Sequence, residues 1–493
     1  MDMADKLKEA FVRYTQLVRA RVHPGARARE AIVSRDASGV LRLLAHSLEQ
    51  SDEFCDLVTS TAYSLSDADH TLSESAARSA TRSFFRRSRY YIDAFEKAEP
   101  HDDAAFDSYR AAFDARETEV RYLAPMEFVS FEKETMDFGQ FQVRRFSAPE
   151  LEAVLDHDVK SVFYPVALID AGRLTDYWFV CVTERVPAPG VGNIILDLDL
   201  RVRVRYSDYR PAVESALQVL ALYDWEAHWG TEHPLANANE DWVPFHVPFV
   251  LSADDDLLSH SGHHVDLPTL APDLSCLVRL PVVDSSGKEI GDRPEVAMRL
   301  TAGETATFES FVRGMLGLLA QLGDHSADWP FLARALGYLL KAFSAVGAEQ
   351  LLWHITTLEA LVGDDAGPGL NERMANRIAF ILASTRKRKR VIRDRFKEVY
   401  NLRSRLVHGD SFHKAYAGHL RSARHLARRV VLWFVHLLSE LGNQLPDGEA
   451  PGSLATREDL IALLDLKQSA RARIRRLIDI VPADFPHVPE WSD

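Results

Sequence analysis

Arg403 and His408 combine the two functions that cleavage of an RNA phosphodiester requires, and they stand five positions apart. Arginine is permanently charged, and its planar fork of donors matches the oxygens of a phosphate. Histidine titrates near neutral pH and can accept or donate a proton. When a ribose 2′-hydroxyl attacks the adjacent phosphate, one group must move protons and another must stabilise the charge on the phosphate oxygens.

The spacing of this pair sets a geometric condition. Residues five apart on an ideal helix differ by about 140° around its axis, so Arg403 and His408 do not share a face of one straight helix. Tyr400, Ser404 and His408 do share a face. Gly409 is typical of the position just past a helix end, which predicts that His408 lies in the last turn. Two copies that meet across a twofold axis would also bring arginine and histidine together.

Taken alone, the arginine–histidine spacing is more typical of a surface arginine near a helix-capping histidine than of a catalytic pair. The surrounding sequence changes this weighting, because it resembles the Apea-like branch of the HEPN superfamily. The residues of the motif that match are Tyr400, Arg403, Ser404, His408 and Gly409. Upstream, 358–361 (Leu-Glu-Ala-Leu) resembles the LE-x-L helix of the family, and 373–382 resembles the helix that precedes the motif. The specific resemblance covers residues of about 330–440.

This resemblance implies an activity and a role for each matching residue. HEPN ribonucleases act as homodimers or higher homo-oligomers, cleave RNA without a metal or other cofactor, and leave a cyclic phosphate. Many are toxins or antiphage effectors, and tRNA is a frequent substrate. By this resemblance His408 would transfer protons, Arg403 would bind the scissile phosphate, and Ser404 would orient the substrate or His408.

Glu359 is a further candidate for the catalytic site, because it flanks an apolar helical stripe where a carboxylate would orient Arg403. An ion pair of purely structural role with Arg373 or Arg377 is an equally good interpretation of this residue.

Two other functions remain open at this point. The first is a non-catalytic HEPN module that dimerises or binds RNA without cutting it. The second is a HEPN toxin controlled by a nucleotidyltransferase-type partner, with Tyr400 as the modified residue. A phage-derived trigger or an antitoxin would be the regulating partner of an active nuclease.

The charge distribution points to a local contact with nucleic acid. The whole chain carries a net charge of -14, which argues against a protein that coats nucleic acid along its whole surface. The stretch from Arg386 to Arg405 nevertheless holds ten basic and two acidic residues, a net charge of +8. We expect it to follow RNA phosphates. The residues predicted to contact RNA are Arg386, Lys387, Arg388, Lys389, Arg390, Tyr400 and Arg405.

The elements that position these residues follow from hydrophobic periodicity. Residues 1–120 are predicted to be helical, and 121–303 to form a β-rich α+β domain that senses a trigger or restrains the nuclease. Residues 304–445 are predicted to form the all-α HEPN bundle, with 446–493 as a linker, a last helix and a tail. The fold class is therefore α+β and multidomain.

Composition excludes several classes of protein. No apolar run is long enough to span a bilayer, and the acidic N-terminal segment does not resemble a secretory signal. Three well-separated cysteines argue against a disulfide framework, so we expect a cytoplasmic protein without a membrane partner. The Asp- and His-bearing stretch 254–266 is interpreted as a solvated loop, not a metal site. The basic and aromatic stretch 83–91 is interpreted as an amphipathic helix that packs its aromatic side chains.

Overall fold

The computed structural model describes most of the chain as a mixed α+β structure in which helices predominate. This confirms the α+β class. The described residues are 3–22, 33–35, 41–43, 45–65, 72–96, 102–156, 159, 162–163, 171–187, 209–225, 247–258, 263–266, 296–323, 329–345, 347–364, 367–409, 417–443 and 456–465. No helix within these ranges has the length and apolar character needed to cross a bilayer.

The N-terminal part is a cluster of helices around an aromatic core. Ser51 and Ser73 begin two of the helices, since their side-chain oxygens accept the backbone N–H groups of Phe54 and Ala76. A short antiparallel pair, β1 (Val33–Arg35) and β2 (Leu41–Leu43), was not predicted within this helical region. The helices are α1 (Met3–Val22), α2 (Asp52–Ser64), α3 (Glu74–Arg87), α4 (Tyr90–Glu96) and α5 (Asp102–Asp114).

A six-stranded antiparallel sheet follows, in the order β5-β6-β7-β3-β8-β9. Its strands are β3 (Glu117–Met126), β5 (Thr135–Asp137), β6 (Gln142–Arg145), β7 (Trp178–Pro187), β8 (Val250–Asp254) and β9 (His263–Asp266). A separate parallel pair joins β4 (Phe128–Phe131) to β10 (Val296–Leu300). The helices of this part are α6 (Ala148–Val154), α7 (Ala171–Leu174) and α8 (Pro211–Ala221). The segments 193–204 and 274–283, whose apolar and β-branched residues also predict strands, lie outside the described residues.

The C-terminal part is a bundle of long helices. They are α9 (Ala302–Gly323), α10 (Pro330–Ser344), α11 (Gly347–Val362), α12 (Leu370–Leu382), α13 (Arg386–Val407), α14 (Ala417–Asn443) and α15 (Arg457–Asp465). The pattern over 371–402 predicts a break near Ser384, and the structure confirms it as the boundary between α12 and α13. Thr385 begins α13, because its hydroxyl accepts the backbone N–H of Arg388 at 3.3 Å. Thr456 and Asp459 match the sequence pattern of a capping box at the start of α15, and the structure confirms it. The Thr456 hydroxyl oxygen accepts the backbone N–H of Asp459, and the Asp459 carboxylate accepts the backbone N–H of Thr456, both at 3.2 Å.

One apolar core joins the sheet to this bundle. Phe308 of α9 lies 5.1 Å from Phe131 of β4 and 5.4 Å from Trp225, measured between ring centroids. All three side chains belong to one buried cluster, which continues through α10, α11, α13 and α14. The domain boundary near residue 303 remains a prediction, and the packed core is continuous across it.

Arg87 connects the N-terminal helices to the sheet. Its side chain is only 5% exposed and binds carboxylates of Asp254 and, at 3.2 Å, of Asp156. A buried guanidinium requires such partners to offset its lost hydration. The solvated-loop interpretation of 254–266 is therefore wrong for Asp254, which ends β8 and supports a buried ion pair. It is also wrong for His263–Asp266, which form β9 and pair with β8. The predicted packing of the aromatic side chains of 83–91 is confirmed, because Phe84 and Phe85 are fully buried. The prediction of one helix is wrong, because α3 ends at Arg87 and α4 begins at Tyr90.

Candidate functional site

Glu359 and Arg403 belong to different helices and meet at the surface of the bundle. Glu359 lies in the last turn of α11, and Arg403 lies one turn before the end of α13. Nη2 of Arg403 is 3.5 Å from Oε2 of Glu359, and the two side chains are 29% and 26% exposed. This separation exceeds the roughly 2.7–2.9 Å of a charge-assisted hydrogen bond. The guanidinium therefore retains donor capacity for a further anionic ligand.

Apolar stripes on both helices hold this pair in place. On α13 the buried side chains are Ile392, Phe396, Val399 and Leu402. Their spacing of three and four residues forms one helix face, and Arg403 borders that face. On α11 the buried side chains include Leu351, Ile355, Leu358 and Val362. The register between the two stripes brings Glu359 to Arg403.

Tyr400 completes a group of three polar side chains. It stands one turn before Arg403, and the guanidinium carbon of Arg403 lies 5.9 Å from the centre of its ring. Glu359 lies close enough for its negative charge to act on the Tyr400 hydroxyl. Burial, and then the negative charge of Glu359, raise the pKa of Tyr400 above its usual value. Tyr400 is therefore a neutral phenol that lies beside Glu359 and Arg403.

His408 stands at the end of α13, as its position before Gly409 predicts. The helix ends at Val407, and the His408 N–H donates to the carbonyls of Ser404 and Arg405 at 3.2 and 3.1 Å. Gly409 has a φ of +101°, a backbone conformation that favours glycine. The His408 side chain is exposed. In the described part of the chain it makes no hydrogen bond or ion pair with Arg403 or Glu359.

Ser404 and Arg405 lie outside the group formed by Glu359, Tyr400 and Arg403. Ser404 is half-buried and accepts the His408 N–H through its backbone carbonyl, whereas Arg405 is exposed in the last turn. The predicted orienting role of the Ser404 hydroxyl stays a prediction. The structure brings Glu359, Tyr400 and Arg403 together and leaves Ser404, Arg405 and His408 on the adjoining turn.

The alternative partners of Glu359 bind elsewhere. Arg373 and Arg377 each contact Asp364 at 2.8 Å, and Arg377 also contacts Asp465. The hydrogen bonds from Arg373 and, next, from Arg377 lower the pKa of Asp364 to about 2. Asp364 lies two residues past the end of α11 and contacts both arginines. Glu359 instead pairs with Arg403 and lies beside Tyr400.

The predicted RNA-contacting run forms the first turns of α13. Arg386, Lys387, Arg388 and Arg390 are exposed, whereas the Lys389 ammonium lies 5.2 Å from the centre of the Phe380 ring. The N-terminal end of a helix carries partial positive charge and disfavours cations. Arg388 and Arg403 are separated by roughly 22 Å along the helix, from the rise of 1.5 Å per residue. A ligand that touches both must therefore span several phosphates.

The contact that Arg457 makes with α11 has no signal in the sequence. The Arg457 guanidinium donates to the backbone carbonyls of Glu359 at 2.8 Å and Ala360 at 2.7 Å, and also to that of Gly363. The last carbonyls of a helix lack partners within the helix, and a guanidinium with several donors can serve more than one of them. No sequence pattern points to this long-range contact. It fixes the turn of α11 that carries Glu359.

Within the described ranges, no group of three or more His, Cys, Asp or Glu side chains is arranged to hold a metal ion. Comparisons with protein-family models, with curated proteins and with solved structures found no match to this chain. The polar side chains that the structure brings together are Glu359, Tyr400 and Arg403. His408 is exposed at the end of α13, the helix that carries Tyr400 and Arg403.

Proposed function

We propose that the chain is a metal-independent endoribonuclease of the HEPN type, with Arg403 and His408 as its catalytic residues. The observation that carries this proposal is the half-exposed guanidinium of Arg403, held between Glu359 and Tyr400. Such a guanidinium is oriented and still able to bind an oxyanion. The exposed basic turns of the same helix offer a surface for neighbouring phosphates.

In the proposed reaction, His408 removes the proton of a ribose 2′-hydroxyl as its oxygen attacks the adjacent phosphorus. The bond from phosphorus to the 5′-oxygen breaks, and a proton returns to that oxygen. The products are a 2′,3′-cyclic phosphate and a 5′-hydroxyl, so no net proton is gained or lost. Arg403 stabilises the charge that builds on the phosphate oxygens, an effect of about 3–4 kcal/mol for one well-placed donor. Glu359 and Tyr400 position Arg403.

A second copy of the chain would complete this site. His408 is exposed and makes no contact with Arg403 within the described part of one chain. The angular offset of about 140° between the two positions explains this separation. In a symmetric dimer the same surface patch occurs on both partners, so Arg403 of one copy can face His408 of the other. We therefore place the reacting phosphate between two α13 helices.

The test is cleavage of total RNA by the purified full-length protein, resolved on a denaturing gel. We expect discrete fragments that form equally well in EDTA and whose 3′ ends are cyclic phosphates. His408→Ala and Arg403→Lys should each lower cleavage about 100-fold or more. Arg421→Ala, which removes an exposed arginine of α14, serves as the control.

Equal behaviour of wild type and His408→Ala would contradict the catalytic proposal. RNA binding that persists in both proteins would then favour a non-catalytic RNA-binding module. Fragments that disappear in EDTA would assign the cleavage to a metal-dependent activity and would also contradict the proposed chemistry.

A further inference from the structure

A cavity of about 590 Å³ opens between α10, α11 and α15. Its lining includes Phe331, Arg334 and Tyr338 of α10, Glu359 of α11 and Arg457 of α15. Small-molecule sites in proteins typically measure about 300–1,000 Å³, so the volume suits one nucleoside-sized group. The cavity lining includes neither Arg403 and His408 nor any residue of the basic run 386–390.

Glu359 connects the cavity to the proposed catalytic site. Its carboxylate lies 3.5 Å from Nη2 of Arg403, and the same residue lines the cavity. A ligand with a phosphate at Arg403 therefore has the mouth of the cavity beside it. The adjoining part of that ligand would enter between α10 and α15.

The cavity offers an aromatic surface of fixed orientation. The Tyr338 ring stacks on Trp353, with ring centroids 5.5 Å apart and an interplanar angle of 26°. The Lys341 ammonium lies 5.0 Å from the centre of the Trp353 ring. Aromatic side chains of this kind stack with unpaired bases, and every base has a π-face that can take part.

The charges around the cavity favour a nucleoside over a free phosphate. Its lining holds two guanidiniums, Arg334 and Arg457, and two carboxylates, Glu359 and Glu458, so the formal charges cancel. Arg457 already donates to two backbone carbonyls of α11 and to that of Gly363. A base and a ribose are uncharged and present both donors and acceptors, which this mixed lining can satisfy.

We propose that this cavity receives an unpaired nucleoside of the RNA substrate, with its base against Tyr338 and the adjoining phosphate at Arg403. This inference rests on the proposed ribonuclease function and adds a substrate class to it. A base held in the cavity cannot be paired at the same time. The enzyme therefore selects single-stranded segments such as loops, bulges and ends.

Binding can be measured on the full-length His408→Ala protein, which leaves the RNA intact. The probe is a short fluorescein-labelled single-stranded RNA of mixed sequence, followed by fluorescence anisotropy. Tyr338→Ala and Tyr338→Leu should each weaken binding by roughly 5- to 150-fold, the range expected when about 1–3 kcal/mol of base stacking is removed. Tyr338→Phe keeps the ring and should bind as the parent does. Tyr63→Ala is the matched control, because Tyr63 is 70% exposed and lies on α2, far from the cavity in sequence.

Tyr338→Leu retains an apolar side chain of similar bulk, so it separates loss of stacking from loss of folding. Its melting temperature should stay close to that of the parent protein. The slope of affinity against salt should also stay unchanged, because stacking displaces no counterions from phosphates. Binding by Tyr338→Leu equal to that of the parent would overturn the inference, as would the absence of any binding by the parent.

The cleavage assay separates this inference from the proposed function. RNA cleavage that does not depend on Tyr338 would support the ribonuclease proposal and contradict the proposed nucleoside site. RNA binding that depends on Tyr338, without RNA cleavage by the wild type, would support the proposed nucleoside site and contradict the ribonuclease proposal.

Discussion

Arg403 and Glu359 form an ion pair that joins α13 to α11 while both side chains stay partly open to solvent. An ion pair in this setting contributes little stability, typically about 0–1 kcal/mol. Its main effect is geometric, because Glu359 limits the positions that the Arg403 guanidinium can take. The pair is therefore better suited to orienting a phosphate ligand than to holding the fold together.

Glu359→Gln tests this orienting role. The amide keeps the size of the side chain but loses the charge that attracts Arg403, so we expect kcat for RNA cleavage to fall by about 10-fold. KM should not rise, because removal of a negative charge beside the phosphate site does not weaken RNA attraction. Glu440→Gln, at a half-buried position of α14, is the control and should leave kcat unchanged. A rise in KM without a change in kcat would instead indicate that Glu359 only binds substrate.

Mixing two inactive variants tests whether the site is shared between copies. Arg403→Ala and His408→Ala should each be inactive alone. When they are mixed and allowed to exchange subunits, one site of each heterodimer would be intact, so about a quarter of all sites should recover activity. Recovered cleavage in the mixture is the measurement. A mixture that stays inactive, although exchange is verified by two different affinity tags, would place Arg403 and His408 of the same chain at one site.

Neutralising the basic first turn of α13 should raise the stability of the fold and lower the affinity for RNA. Arg386→Gln, Lys387→Gln and Arg388→Gln together remove cations from the N-terminal turn, where the helix dipole disfavours them. The melting temperature should therefore rise. RNA affinity should fall, and the slope of its logarithm against that of salt should decrease by about 2, since each single-stranded phosphate that is no longer neutralised lowers the slope by roughly 0.7. An unchanged slope would show that this run does not bind phosphates.

Asp364 gives the protein a specific sensitivity to acid. Its pKa in the folded state is about 2, chiefly because of the hydrogen bonds from Arg373. In the unfolded chain an aspartate titrates near about 3.9, so its contribution to stability is present above that pH and is lost as the pH falls toward 2. Denaturant unfolding from pH 5 down to about pH 2 should show a steeper loss of stability in wild type than in Asp364→Asn. Equal pH dependence in the two proteins would contradict this assignment.

Local signals in the sequence predicted both ends of α13, as a break near Ser384 and as a helix end before Gly409, although they did not single out Thr385 as the cap. Thr385 caps its first turn and Gly409 takes up positive φ after its last, and both functions depend on the residue type itself. The angular offset of about 140° between Arg403 and His408 around the helix axis also follows from their spacing alone. These features could be predicted because each depends on neighbours within about one or two helical turns.

The contacts of Glu359, Arg87 and Arg457 could not be predicted in this way. Each depends on how two distant elements pack, and a sequence does not specify which of several nearby arginines reaches a carboxylate. Arg373 and Arg377 are equally good partners for Glu359 by sequence, and only the folded position of Asp364 excludes them. The interpretation of Asp254 was wrong for the same reason, because its partner Arg87 lies 167 residues away in sequence.

The contact between Arg457 and α11 also has a consequence for the order in which the protein matures. The Arg457 guanidinium and the Glu359 carbonyl are separated by 98 residues. At the usual rates of translation, the ribosome needs roughly 5–20 s to add that many residues after Glu359 has been made. During this interval the end of α11 lacks its guanidinium cap, even if the neighbouring helices have already packed. The turn that orients Arg403 therefore becomes fixed only after Arg457 has been made and has reached α11.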